Sequence, residues 1–190
     1  MRKLLLFMHT SLDGFVAGPN GEMNWIKADD ETFENVEKRV KQTDTALYGR
    51  VTYQMMEAYW PTAADKPGAS RHDIEHAAWY KNAHKIVLSN TLDAAGLSNT
   101  LIIGKNDFDQ LRALKAQPGK DILVFGSPSA AHALMAAGLI DGYWLFVNPI
   151  LLGAGIPLFK GIPEQTKLRL LESKTLTNGV TTLYYETKLS

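Results

Sequence analysis

Thr45-Ala46-Leu47-Tyr48-Gly49-Arg50-Val51-Thr52 changes character at its glycine. Up to Gly49 the run is short and mostly apolar, as a buried strand requires, and Val51 to Tyr59 suits a helix. The stretch is therefore a strand-to-helix junction, the repeating unit of an α/β sheet. Ile122-Leu123-Val124-Phe125-Gly126-Ser127-Pro128-Ser129 repeats it. Here Gly126 permits close backbone approach, Ser127 can cap a helix, and Pro128 fits the first helical position. Ala130, Leu134 and Met135 lie on the helix that follows. Lys85-Ile86-Val87-Leu88-Ser89 is a third such strand, ending in Ser89-Asn90-Thr91.

Outward from these junctions the pattern alternates. Leu4 to Met8 is a continuous apolar run, read as a buried strand and not as a signal peptide, because His9, Thr10, Ser11 and Asp13 follow at once. Phe15-Val16-Ala17 resumes it before the turn Gly18-Pro19-Asn20-Gly21. A helix begins near Asp29 or Asp30, with Phe33, Val36 and Val40 on one stripe. Pro61 to Ser70 reads as loop, and Asp73 to Tyr80 as helix. Thr100 to Ile103 is a strand, and Phe108, Leu111 and Leu114 mark another helix. Tyr143 to Val147 is a strand, and Thr177-Asn178-Gly179 turns a closing hairpin. The expectation is one domain over residues 1–190, with a mostly parallel central sheet and a C-terminal antiparallel hairpin.

Composition narrows the function. Lys+Arg and Asp+Glu number 20 each, so net charge gives no reason to expect nucleic acid or an anionic membrane. No run approaches the roughly 20 apolar residues of a membrane span. The absence of cysteine excludes disulfides, thiolate catalysis and Cys-ligated zinc, and fits a reducing, cytoplasmic setting. His72 and His76 share i,i+4 spacing, but no third ligand is evident, so no metal is expected.

Three strand ends carrying small polar residues point to one ligand along the C-terminal edge of the sheet. Gly49, Arg50 and Thr52 open a helix whose free N–H groups suit phosphate, and Arg50 can grip a phosphate through its planar fork. Ser89, Asn90, Gly126, Ser127 and Ser129 are the partners expected nearby; each also serves as ordinary turn or helix-start chemistry. Neither a Gly-x-Gly-x-x-Gly fingerprint nor a Walker loop is present. Trp25, Asp29, Asp30 and Phe33 form the expected substrate region. A partly buried carboxylate beside aromatic rings can hydrogen-bond a flat nitrogen heterocycle and handle a proton, whereas acids at a helix start also simply cap it.

Taken together, these residues resemble the dihydrofolate reductase superfamily, especially its riboflavin-biosynthesis reductase branch. Ser11-Leu12-Asp13-Gly14, Tyr48-Gly49-Arg50-Val51-Thr52-Tyr53, Ile86-Val87-Leu88-Ser89, and Leu139-Ile140-Asp141 followed by Pro149 to Phe159 carry the resemblance. It implies a three-layer dihydrofolate-reductase-like fold and NADPH as hydride donor, with Gly49, Arg50 and Thr52 at its phosphates. It implies a homodimer, expected to bury part of the apolar strand Tyr143–Val147. It places the substrate carboxylate on Asp30, with Asp29 the rival. The implied chemistry is reduction of a small heterocycle such as 5-amino-6-(5-phosphoribosylamino)uracil; dihydrofolate reduction and NADPH binding without catalysis are the alternatives. Gly126-Ser127 departs from the branch's usual Gly-Gly. Without cysteine, the chain cannot carry the zinc deaminase often fused to the riboflavin enzyme.

Overall fold

Eight strands share one sheet in a computed structural model that describes residues 1–104 and 107–187. In chain order the elements are β1 (Leu4–Ser11), β2 (Phe15–Ala17), α1 (Asp30–Val40), β3 (Thr43–Gly49), α2 (Arg50–Ala63), α3 (Arg71–Asn82), β4 (His84–Leu88), β5 (Thr100–Ile103), α4 (Asp109–Ala116), β6 (Asp121–Val124), α5 (Pro128–Ala136), β7 (Gly142–Asn148), β8 (Ile156–Pro157), β9 (Leu168–Thr175) and β10 (Thr181–Thr187). The sheet order is β5-β4-β3-β6-β1-β7-β10-β9, and β2 pairs separately with β8. Pairing is parallel from β5 through β7. The hairpin β9–β10 adds the antiparallel edge, turning at Gly179 with φ 86°.

The continuous apolar run of β1 is explained by its place. It lies inside the sheet between β6 and β7, and Leu4, Leu5 and Leu6 are all buried. Alternate residues feed opposite layers, as strand geometry demands. Leu4 and Leu6 join Leu111 of α4 and Ala131 and Leu134 of α5. Leu5 joins Val36 and Val40 of α1 on the other face. Ala46 and Tyr48 of β3 meet Tyr53 of α2 and Tyr80 of α3 on that second face, while Leu47 points to the first. Three layers result, as the sequence led one to expect.

Two expectations need correction. Pro61 does not begin a loop: α2 continues through it to Ala63. Trp60 packs onto the core around Tyr48 and Tyr80, and Ala63 is fully buried, so tertiary contacts carry the last turn past the proline. Nor does Tyr143–Val147 offer surplus apolar surface. β7 lies between β1 and β10, and Tyr143, Trp144, Leu145 and Phe146 are buried in the chain's own core. The edge strand β9, by contrast, leaves Leu168, Leu170 and Leu171 exposed.

Candidate functional site

The sheet changes direction between β3 and β6. β3 leads to β4 on one side; β6 leads, past β1, to β7 on the other. The helices that follow these two neighbouring parallel strands therefore pack on opposite faces, α2 on one and α5 on the other. Such a switch point leaves a crevice beyond the carboxyl ends of the strands, which is where open α/β sheets hold ligands. A cleft of about 100 Å³ lies there, lined by Gly49, Arg50, Val51, Leu88, Ser127, Ser129, Ala130 and Ala133. It has room for a phosphate group, and the rest of a larger ligand must lie outside it.

The first residues of both helices face this cleft with free donors. Gly49 is the N-cap of α2 and brings no side chain to its first turn; Ser127 is the N-cap of α5, yet its hydroxyl bonds no backbone N–H of the helix. Instead Ser127 Oγ and Ser129 Oγ lie 2.9 Å apart. The N-terminal N–H groups and the positive end of each helix dipole are thus left for an anion. Arg50 is exposed beside them, with Gln54 its one side-chain hydrogen-bond partner among the described residues, at 3.2 Å.

Gly49 is a matter of space. Its N–H donates to the Gly126 carbonyl at 2.8 Å, drawing the two strand ends together. A β-carbon at 49 would overlap Ser127 Oγ and crowd the Ser127 backbone nitrogen at 3.2 Å. Gly126 needs its own freedom: its φ is +107°, and a β-carbon there would lie 3.7 Å from Thr52 Oγ1. Gly49, Arg50, Thr52, Gly126, Ser127 and Ser129 are thereby brought to one place. Ser89 ends the neighbouring strand, but its hydroxyl oxygen accepts the N–H groups of Thr91 and Leu92 and closes a turn. Asn90 is exposed just beyond it.

The substrate region divides. Asp29 is the N-cap of α1; its carboxylate accepts the Thr32 N–H at 2.9 Å and the Thr32 hydroxyl at 2.8 Å. These bonds hold its carboxyl below the usual carboxylate range. Asp30 is the next residue and is exposed, without the partial burial the sequence reading asked of it. Helix-start geometry explains this, since the cap side chain folds back and the following one projects outward. Asp30 and Phe33 line a cleft between α1 and α3 with Glu34, Glu37, His72 and Arg71. Trp25 is not part of that lining; its indole N–H donates to the Glu22 carbonyl at 3.0 Å. A chain of ring contacts leads from this cleft toward Gly126. Phe33 stacks on His72 at 4.1 Å, His72 meets His76 at 5.3 Å, and His76 meets Phe125 at 6.1 Å. The sequence reading missed Glu37, because only the packing of α1 on α3 brings it to the two histidines.

The two terminal motifs meet each other. Ser11 Oγ donates to Asp13 Oδ1 at 2.6 Å, and the Asp13 carboxylate accepts N–H groups from Leu152, at 3.2 Å, and Gly153, at 2.8 Å. These bonds lower its pKa, the Ser11 bond foremost. Gly155 has no room for a β-carbon because the Ala17 carbonyl lies against it. Ser11-Leu12-Asp13-Gly14 and the stretch Pro149–Phe159 are therefore two halves of one fastening. His9 precedes it on β1, its ring 4.9 Å from that of Phe146, and burial pushes its pKa down to about 4. His9 is neutral at physiological pH.

Residues 2–182 match the family described as RibD C-terminal domain. The uncharacterized protein YyaP of Bacillus subtilis is 32% identical over 188 residues, 97% of this chain and 94% of its own. YwjB of the same organism, also uncharacterized, is 27% identical over 180 residues, 94% of this chain and 95% of its own. Among solved structures, a Shewanella sp. PV-4 protein described as a riboflavin biosynthesis protein superposes with a TM-score of 0.75 at 21% identity, covering 98% of this chain and 99% of that one. A Thermotoga maritima diaminohydroxyphosphoribosylaminopyrimidine deaminase/5-amino-6-(5-phosphoribosylamino)uracil reductase gives a TM-score of 0.67 at 15% identity, covering 98% of this chain and 57% of that one. These structural likenesses show a shared fold.

Proposed function

We propose that this chain, which belongs to the RibD C-terminal domain family, is a cytoplasmic reductase that moves hydride from NADPH to a small nitrogen heterocycle. The observation that carries the reading is the cleft at the switch point, where two helix N-termini without side-chain caps stand beside an exposed arginine. The donors fit the group: N–H ends and a guanidinium suit a dinucleotide's phosphates, and Gly49 leaves no side chain in their way. NADPH, when bound, supplies the hydride. The chain's own part is to hold the phosphates at Gly49, Arg50, Thr52 and Ser127, and to orient the heterocycle beside Phe33. Asp30 is the carboxylate left to face that heterocycle, since Asp29 is occupied as a cap. The family points to 5-amino-6-(5-phosphoribosylamino)uracil or a close relative as substrate.

Arg50 gives the test. NADPH carries a ribose phosphate that NADH lacks, and a charged hydrogen bond is worth about 1.5–3 kcal/mol. Arg50→Ala is expected to weaken NADPH binding on the order of 10- to 100-fold and to leave NADH almost unchanged, as read by fluorescence titration. Equal weakening of both cofactors moves Arg50 to the shared phosphates; no weakening removes it from the site. A second reading, NADPH binding without turnover, is favoured by the exposure of Asp30. Loss of NADPH absorbance with candidate pyrimidine substrates separates the two: turnover supports the reductase, and binding without turnover across the panel supports the alternative.

The proposal includes a homodimer, with β9 in place of Tyr143–Val147. β9 is an edge strand whose Leu168, Leu170 and Leu171 are exposed, with Phe159 and Ile162 exposed nearby. Apolar side chains on an unpaired edge invite a two-fold partner. Light scattering at twice the 21.0 kDa chain mass supports this, and a monomer mass rejects it.

A further inference from the structure

The i,i+4 histidines find a third ligand on another helix. Glu37 of α1 is 5% exposed and His76 of α3 is 4% exposed. His76 Nδ1 lies 2.9 Å from Glu37 Oε1, and His72 Nδ1 lies 3.3 Å from the same oxygen. Only the first contact has hydrogen-bond geometry. Glu37 Oε2 and His72 Nδ1 are buried without a hydrogen-bond partner among the described residues. A buried carboxylate oxygen left unsatisfied is costlier than a neutral group in the same position. Glu37 Oε2 and His72 Nδ1 have lone pairs to spare, and His76 Nδ1 becomes a third donor once the proton it gives to Glu37 Oε1 is released, as metal binding requires.

We propose that Glu37, His72 and His76 bind a divalent transition-metal ion of the zinc class between α1 and α3. The ligand atoms lie within 4.8 Å of one another. Ligands of a tetrahedral zinc at about 2.0–2.1 Å stand roughly 3.3 Å apart. The observed 2.9 and 3.3 Å separations to Glu37 Oε1 lie beside that value, so small side-chain adjustments close the site. One carboxylate with two histidines is a donor set that zinc accepts, leaving a fourth position open.

The surroundings favour the same role. α3 is fixed at its start by a complete Ser70–Asp73 capping box, so the turn carrying His72 is rigid. Trp60 lies 4.2 Å from the His76 ring, and Phe33 stacks on His72. These rings hold the imidazoles in place and keep water from the buried side. The cleft lined by Asp30, Phe33, Glu37 and His72 supplies an entry path. None of the three ligands lines the switch-point cleft, so the ion and the cofactor phosphates do not compete; the α1–α3 cleft is shared with the heterocycle placed beside Phe33.

The test uses the whole chain without NADPH. Titration with CoCl₂, followed by visible absorption and by competition with ZnCl₂, is expected to give one ion per chain. His72→Asn and Glu37→Gln are each expected to weaken binding by about 100-fold or more, above the roughly 10- to 100-fold effect of losing an outer-shell partner. His84→Asn, on an exposed histidine outside the cluster, is expected to change nothing. Far-ultraviolet circular dichroism checks that each variant is folded. His72 is the safer variant because it is the least buried of the three. Absence of binding at millimolar metal, or binding that folded His72→Asn and Glu37→Gln retain unchanged, overturns the proposal and leaves a hydrogen-bonded Glu–His cluster.

Discussion

Four helices begin in two ways. α1 and α3 close their own N-termini: Asp29 accepts the Thr32 N–H, and Ser70 and Asp73 form a reciprocal box. α2 and α5, which flank the switch point, do not. Ser70 and Ser127 make the comparison sharp because both are N-cap serines. The residue three places on decides the outcome. In α3 it is Asp73, whose carboxylate reaches back to Ser70; in α5 it is Ala130, which has nothing to return. Ser127 turns to Ser129 instead. α4 also starts without a side-chain cap, but it places Asp109 in its own first turn, where a carboxylate offsets the dipole. What separates α2 and α5 is that neither carries an acid there. An open helix start becomes a place for an anion when no side chain of the helix has taken the post.

The largest effect expected from breaking this contrast is at Gly49. Gly49→Ala introduces a β-carbon against Ser127. Overpacking of this kind costs about 1–3 kcal/mol, so chemical denaturation should show a loss in that range, with NADPH affinity falling alongside it. Ser127→Gly in the same chain should restore part of both. An unchanged midpoint and affinity in Gly49→Ala would mean that the strand ends have room to spare.

The caps themselves come next. Ser70→Ala removes a working cap and should cost about 0.5–2 kcal/mol, and Asp29→Ala should destabilise in the same direction. Ser127→Ala removes a serine from the same position of α5 and should change stability by no more than roughly 0.5 kcal/mol, because no cap bond is lost. Equal losses for Ser70→Ala and Ser127→Ala, by urea denaturation, would erase the distinction between the two kinds of helix start.

Acid offers the smallest effect. The Asp29 and Asp73 carboxyls are held below their ordinary 3.8, Asp29 mainly by the Thr32 N–H and Asp73 mainly by the Ser70 hydroxyl. Their folded pKa is depressed, so their contribution is complete above about 3.8 and is lost as pH falls through the lower folded value. Amide exchange should then show the Thr32 and Ser70 N–H groups losing protection below that pH, while the uncapped first turns of α2 and α5, which have no acid cap to protonate, show no such step. Parallel losses in all four would refute the assignment.

Much of this arrangement was legible along the chain, and the exceptions have common causes. The junctions at Gly49 and Gly126 could be read because a strand, a glycine and a helix follow one another locally. The choice between Asp29 and Asp30 could not, since it depends on a helix boundary fixed to a single residue. Pro61 misled because a local rule lost to the packing of Trp60 and Ala63. Glu37 was invisible as a partner of His72 and His76 for a different reason. Its relation to them exists only once α1 lies on α3, and no periodicity in either helix encodes it.

The place of β1 has a consequence in time. β1 leaves the ribosome well before β6 and β7, the two strands that flank it inside the finished sheet. Lys3 meets Asp121 across 118 residues of chain. At synthesis rates of about 5–20 residues per second, Leu4, Leu5 and Leu6 wait on the order of 6–24 s before their nearer partner has even been made. Throughout that interval one of the most apolar segments of the nascent polypeptide has no strand beside it in the sheet, and only α1, with Val36 and Val40, is already there to cover Leu5.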